Sequence, residues 1–213
     1  MIHSTKVIAA TSFTQNPFAT RWTRPGACLF LFPPETSIEQ LLDRLQQQQG
    51  WGQIVGPHGS GKSTLLAALK PALESRGQRL AHYCLHQGQR QLPMKWSDNL
   101  LQEATQVLVD GFEQLSKFSQ YRLKRYCRKF NKGLLITTHQ SLGFTDLIHL
   151  QPDIVTALRV VAHLQRNHPE IIRANDVRRH YRHHSQNLRE LLFCLYDLFE
   201  KRRLKTGTRS EPL

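Results

Sequence analysis

Acidic residues are scarce in this chain: 16 Asp and Glu stand against 29 Lys and Arg, a formal charge of +13 at pH 7. So one-sided a balance makes the surface electropositive and suits it to nucleic acid or an anionic membrane, without deciding the fold. Long hydrophobic runs are missing as well. Met1-Ile2-His3-Ser4-Thr5-Lys6 leads into only a short apolar stretch, Val7-Ile8-Ala9-Ala10, well short of a signal peptide or a membrane span, which points to a cytoplasmic chain with no transmembrane segment. Paired cysteines are lacking too. Cys28, Cys84, Cys127 and Cys194 are widely spaced with no C-x-x-C, which argues against a zinc site built on them and predicts reduced, mostly buried thiols. There is no internal repeat. A length of 213 residues fits one α/β domain, or one domain with a small appendage.

What the chain does contain is strands alternating with helices. Residues 1–36 read as an irregular arm rich in turn residues and aromatics, including Trp22, Phe30 and Phe32. Ser37 to Gln40 matches a capping box, and Ile38, Leu41, Leu42 and Leu45 share one helical face until Gly50. Strands are predicted at Trp51 to Val55, Leu80 to Leu85, Val107 to Val109 and Leu134 to Thr137, with a short one near Leu147 to Leu150. A helix follows Lys62, a short one follows Ser97, and a basic one runs from Lys117 to Lys132. This spacing predicts a three-layer α/β core with a parallel sheet over 37–150. Beyond Pro152 only helices are predicted: Asp153 to Gln165, Asp176 to about His184 after an Asn175 cap, and Gln186 to Arg203. They form a small carboxy-terminal helical unit over 151–204, with 205–213 as a flexible tail.

Between the first strand and its helix lies Gly56-Pro57-His58-Gly59-Ser60-Gly61-Lys62-Ser63, followed by Thr64. Glycines there allow positive φ angles that turn successive backbone N–H groups onto phosphate oxygens, and the helix adds its positive end. Lys62 is then placed for the β- and γ-phosphates of a nucleotide and the Ser63 hydroxyl for Mg2+. The strand Val107-Leu108-Val109 ends in Asp110, a carboxylate suited to the same metal through its water shell. Glu113, three residues on, is the nearest group to polarise an attacking water, with Gln114 as the alternative. An acid in the first turn of a helix is also favoured for dipole reasons alone.

The order of these features resembles the division of P-loop ATPases that includes AAA+, STAND, RecA-like and ABC ATPases. In that division an extra strand separates the phosphate-loop strand from the acidic strand, and Leu80 to Leu85 would be that strand. Asp110-Gly111-Phe112-Glu113 looks like the STAND-type acidic motif, in which a small residue follows the Asp and an acid comes later. AAA+ and ABC members usually carry the acid directly after the Asp, and Gly111 departs from their pattern. Leu134-Leu135-Ile136-Thr137-Thr138-His139 is similar to the polar-ended strand that senses the γ-phosphate. The resemblance implies Thr138 as an AAA+ sensor and His139 as an ABC-type switch histidine. No Leu-Ser-Gly-Gly-Gln-like signature precedes Asp110, which disfavours an ABC transporter subunit. Asn187-Leu188-Arg189-Glu190 resembles the AAA+ second sensor, an arginine that a helical lid brings to the γ-phosphate.

The resemblance therefore implies a P-loop NTPase core with a helical lid: a Mg-dependent ATPase of AAA+/STAND-like type that couples nucleotide state to a conformational change. Lys62, Glu113, Thr138 and Arg189 would carry the chemistry, and a homo-oligomer or partner protein is expected. The alternative is a nucleotide-dependent nucleic-acid-binding switch with little or no hydrolysis.

Lys117, Arg122, Lys124, Arg125, Arg128, Lys129 and Lys132 share their segment with Phe118, Tyr121, Tyr126 and Phe130. Either the aromatics point inward and the cations outward, or the segment contacts phosphate backbone, or it reaches a neighbouring subunit's nucleotide as an arginine finger. His180 and His184 have i, i+4 spacing, but Arg178, Arg179 and Arg182 crowd the same turns and disfavour a metal. Trp22, Phe30 or Phe32 serve either core packing or an adenine-stacking face.

Overall fold

The computed structural model describes residues 15–93, 98–184 and 187–207, the side chains of 205–207 excepted. Val7 to Ala10, the Ser97 start of the short helix, the Gln186 start of the last helix and the end of the tail lie outside the described residues.

Five strands, each four to six residues long, form one sheet: β1 (Trp51–Val55), β2 (Leu80–Cys84), β3 (Gln106–Asp110), β4 (Gly133–Thr138) and β5 (Asp146–His149). All pairings are parallel and the order across the sheet is β2-β3-β4-β1-β5. Central strands covered on both faces read as unbroken apolar runs, and every residue of β4 is buried. The topology corrects one expectation. The strand that separates β1 from β3 is β4, whereas Leu80–Cys84 lies at the sheet edge beyond β3. Chain order misleads here because a parallel strand needs a crossover, and the crossover through β2 and β3 returns the chain between them.

Helices cover both faces. On one, α2 (Ile38–Gln47) and α3 (Lys62–Ser75) pack Leu41, Leu42, Leu45, Leu65, Leu66 and Leu69 against Ile54, Leu108 and Leu135. Burial of each such leucine contributes about 1.5–3 kcal/mol. The Ser37 hydroxyl accepts from the Gln40 N–H while the Gln40 side chain accepts from the Ser37 N–H, so the capping box starts α2 as its sequence predicts. On the other face, α4 (Asn99–Glu103) and α5 (Lys117–Lys129) bury Leu101, Leu123 and Cys127 against Val107, Val109, Leu134 and Ile136.

Three further helices, α6 (Ile154–Gln165), α7 (Ala174–Tyr181) and α8 (Leu188–Gly207), share a separate apolar cluster. Here α7 begins before Asn175, because the Asp176 carboxylate accepts the Arg173 N–H and closes the first turn. The short helix α1 (Thr20–Thr23) belongs to the arm. Phe18 is 1% exposed within the carboxy-terminal cluster, edge-on to Phe199, and Asn16 donates to the Tyr196 carbonyl and to Glu200. Phe30 and Phe32 pack instead against the α2/α3 cluster. Of the thiols only Cys127 is buried; Cys28 and Cys194 are half-buried and Cys84 is exposed, because β2 is an edge strand and the arm and α8 are covered on one side only. Among the described residues no helix is long and apolar enough to cross a membrane.

Candidate functional site

Parallel strands place all their carboxyl ends on one edge, where open α/β sheets bind ligands. The β1–β4 register sets Val55 beside Thr138, and the β2–β3 register sets Cys84 beside Asp110. The loop after β1, the end of β3 and the end of β4 therefore converge.

The loop is shaped by its glycines. A Cβ on Gly56 would stand 2.6 Å from the Leu150 carbonyl and 2.7 Å from Ser60 Oγ, and one on Gly59 would collide with the Asn187 side chain. Gly59 and Gly61 have φ of 69° and 97°, a region that glycine enters without strain. Directly after Gly61, α3 presents its amino end to the loop. Lys62 is 8% exposed and its Nζ donates to the carbonyls of Gly56 and Pro57, both at 2.7 Å. Burial holds its pKa below the usual lysine value, and the charges of Glu113 and Asp110 work the other way. Ser60 Oγ is buried with no partner.

Asp110 ends β3, and its Oδ1 accepts from Thr137 Oγ1 at 2.5 Å; the same hydroxyl accepts the Gly111 N–H at 2.9 Å. Glu113 sits in the short 3-10 turn Phe112–Gln114, with Oε1 3.0 Å from His139 Nε2 and Oε2 buried without a partner. His139 Nδ1 is 3.2 Å from both Lys62 Nζ and the Gly56 carbonyl. With Nε2 donating to the carboxylate, Nδ1 is left to accept from the lysine. The His58 ring lies against His139, centroids 3.6 Å apart. Desolvation, then His139 and Lys62, hold the His58 pKa below its ordinary value.

The carboxy-terminal helices hang on the same loop. The Leu188 N–H donates to the Gly59 carbonyl, and Asn187 Oδ1 accepts the Glu190 N–H at the start of α8. The exposed Arg189 follows and lines the cavity.

These groups wall a cavity of about 1460 Å³, larger than an ordinary small-molecule pocket of about 300–1,000 Å³. His58, Gly59, Ser60, Gly61, Lys62, Ser63, Thr64, Asp110, Glu113 and Arg189 all line it, as do Phe30 of the arm and His82 and Cys84 of β2. Gly56 and Pro57 contribute their carbonyls to Lys62.

Thr138 is the exception. It is fully buried, its hydroxyl donates to the Gln140 carbonyl and its own carbonyl accepts the Gly56 N–H, so it does not face the cavity. Side chains alternate along a strand, and it is Thr137 and His139 that point into the site. Thr137 escaped the sequence reading; the alternation running from a cavity-facing His139 was the signal that could have found it. Among the described residues no group of three or more His, Cys, Asp and Glu could hold a metal ion. His184 instead sits 3.3 Å from Cys194.

Whether these residues suit a nucleotide with Mg2+ can be judged from the donors themselves. The glycine loop and Lys62, whose Nζ rests on the Gly56 and Pro57 carbonyls, bring N–H donors to the cavity, and Ser60 Oγ is buried beside them without a partner, a donor set that suits phosphate oxygens. Ser63 and Asp110 offer the hydroxyl and carboxylate oxygens that a hard cation takes. The set fits.

No protein-family model matches the chain, and no curated protein matches its sequence. Solved structures do. Among them are AMPPCP-bound DnaA from Aquifex aeolicus (TM-score 0.55, 16% identity, 84% of this chain and 67% of that one) and a DNA replication initiation factor (TM-score 0.54, 14% identity, 84% and 70%). A third is the replication initiator DnaA bound to AMPPCP and single-stranded DNA (TM-score 0.54, 14% identity, 84% and 66%). The chain thus spans about two thirds of the length of these structures. At such identities the likeness shows the fold alone: a mixed α/β architecture shared with these structures, with helices flanking a five-stranded parallel sheet.

Proposed function

We propose that this chain binds ATP with Mg2+ at the loop from Gly56 to Ser63 and hydrolyses it, using the three helices after Pro152 as a lid that registers nucleotide state. The observation that carries this reading is the convergence of Lys62, Asp110, Glu113 and His139 on one cavity beside two buried, unpartnered oxygens. The AMPPCP in the DnaA structures of the same fold supports it.

In this mechanism Lys62 exchanges its carbonyl partners for β- and γ-phosphate oxygens, and the loop N–H groups with Ser60 Oγ complete the cradle. Ser63 and Asp110 would hold Mg2+, which when bound would supply positive charge to offset that developing on the phosphates. Thr137 fixes the Asp110 carboxylate through its hydroxyl. Glu113 takes a proton from the attacking water, and His139 holds Glu113 through Nε2 until the water is in place. Arg189 joins from α8, whose first N–H already rests on Gly59, so a shift of the loop moves the lid.

Phosphate release by Glu113→Gln tests this assignment. General-base removal typically costs 10²–10⁴-fold, so release is expected to fall by about 100-fold or more while ATP binding persists. Release unchanged in this variant removes Glu113 from the chemistry.

A second reading, a nucleotide-dependent nucleic-acid-binding switch with little hydrolysis, is favoured by the basic face of α5 and by the carboxylate standing three residues beyond Asp110 rather than next to it. One of the structures of this fold holds single-stranded DNA. Assembly with further copies or a partner protein is compatible with both readings.

A further inference from the structure

The outer face of α5 is unusual in what it leaves in solvent. The helix buries Gln120, Leu123 and Cys127 against the sheet, yet Phe118 is 68% exposed and Tyr121 60% exposed. The reading in which the aromatics of this segment point inward fails for these two and for Phe130, which is 51% exposed. Phe118, Arg122, Arg125 and Lys129 follow one another at helical spacing along a single stripe, with Tyr121 beside it.

Two groups of cations can be told apart. Lys124 lies over the Phe144 ring at 4.4 Å and Arg128 over Trp51 at 5.4 Å, so both help seat the helix. On the stripe, Arg122 stands 5.6 Å from the Phe118 ring centre, and among the described residues no carboxylate pairs with Lys117, Arg125 or Lys129. The helix contains no acid at all. Exposed rings set beside Lys117, Arg125 and Lys129, which no described carboxylate pairs, are complementary to a polyanion that carries flat, unpaired π-systems.

We propose that this stripe binds single-stranded nucleic acid, with bases stacked on Phe118 and Tyr121 and the backbone held by Arg122, Arg125 and Lys129. A duplex keeps its base faces stacked internally and cannot use the rings. An acidic protein supplies the charge without the flat partners. From Phe118 to Lys129 the stripe runs about 16 Å at helical rise, enough for about five nucleotides at 3.4 Å each. The proposal rests on the nucleic-acid reading above in naming the partner, and it does not depend on hydrolysis at the phosphate loop.

The test is fluorescence anisotropy with a labelled oligothymidylate and with a duplex of equal length, across a salt series and without nucleotide. Wild type is compared with Phe118→Ala/Tyr121→Ala, with Phe118→Leu/Tyr121→Leu, and with Arg125→Ala/Lys129→Ala. The exposed positions leave the fold intact, and the leucine pair keeps apolar volume while removing the π-faces. Expected are a preference for the single strand, an affinity loss of about tenfold or more in both aromatic pairs with the salt slope unchanged, and a shallower slope in the Arg125/Lys129 pair. Single-strand affinity unchanged in the aromatic pairs overturns the stacking surface while leaving the wider nucleic-acid reading in place. Equal binding of duplex and single strand also overturns it. Binding of neither at low salt overturns both.

Discussion

At the scale of single residues, two adjacent threonines at the end of β4 divide their work. Thr137 gives its hydroxyl to Asp110 and accepts the Gly111 N–H, whereas Thr138 spends its hydroxyl on the Gln140 carbonyl. Thr137→Val keeps the side-chain shape and frees the Asp110 carboxylate to rotate, so ATP turnover is expected to fall. Thr138→Val removes the hydroxyl that donates to the Gln140 carbonyl and is expected to cost about 1 kcal/mol of stability with turnover per folded molecule unchanged. Steady-state phosphate release and urea unfolding on both variants separate the roles. The sequence places a polar pair at the strand exit, but which member faces the site depends on a one-residue phase, which alternation gives only once His139 is taken to face the cavity. That Lys62, Ser63, Asp110, Glu113 and Arg189 line one cavity was legible because the first two belong to one contiguous motif and the others sit at element ends, where direction is less ambiguous.

At the scale of elements, the arm is the piece that local patterns could not place. Asn16 and Phe18 are anchored on α8 by contacts some 180 residues away in sequence, while Phe30 and Phe32 rest on the α2/α3 side of the sheet. The arm thus bridges the core and the carboxy-terminal helices beside the cavity, and Arg159 of α6 donates to the Phe32 carbonyl. Phe18→Ala is expected to cost about 3–5 kcal/mol, seen as a lower urea midpoint. A cost below 1 kcal/mol would show that Phe18 is not anchored there. The α2 capping box and the strands β1, β3 and β4 were readable because periodicity and caps are short-range signals. The order of the strands was not, since Leu80–Cys84 and Gly133–Thr138 carry no mark of which will neighbour β1.

At the scale of the whole molecule, charge and protonation set how the protein responds to pH. Burial, as the largest cause, holds His82 and His180 below the ordinary histidine value, and desolvation does the same to His58. The folded chain therefore resists a proton that the unfolded chain accepts near about pH 6.5. Stability from this source is complete above about pH 6.5 and is lost as pH falls below it towards the folded-state values. Asp176, held low by its hydrogen bonds to Arg202, and Asp153, held low by the Thr156 N–H, add a second loss below about pH 4. Melting temperatures from pH 8 to pH 3 should show both declines; a flat profile between pH 7 and pH 5 contradicts the histidine contribution.

The loop from Gly56 to Ser63 is the centre of the proposed site, because Lys62, Asp110, Glu113 and Arg189 all gather around it. Calorimetric titration of the wild-type chain and of Lys62→Ala with ATP and Mg2+ tests it most directly. One ATP per chain is expected for wild type, with affinity weakened by about 100-fold or more once the lysine is gone, in line with losing a charge-assisted contact worth about 3 kcal/mol. No heat of binding in the wild type, or equal affinity in the variant, would contradict the assignment of this site to ATP.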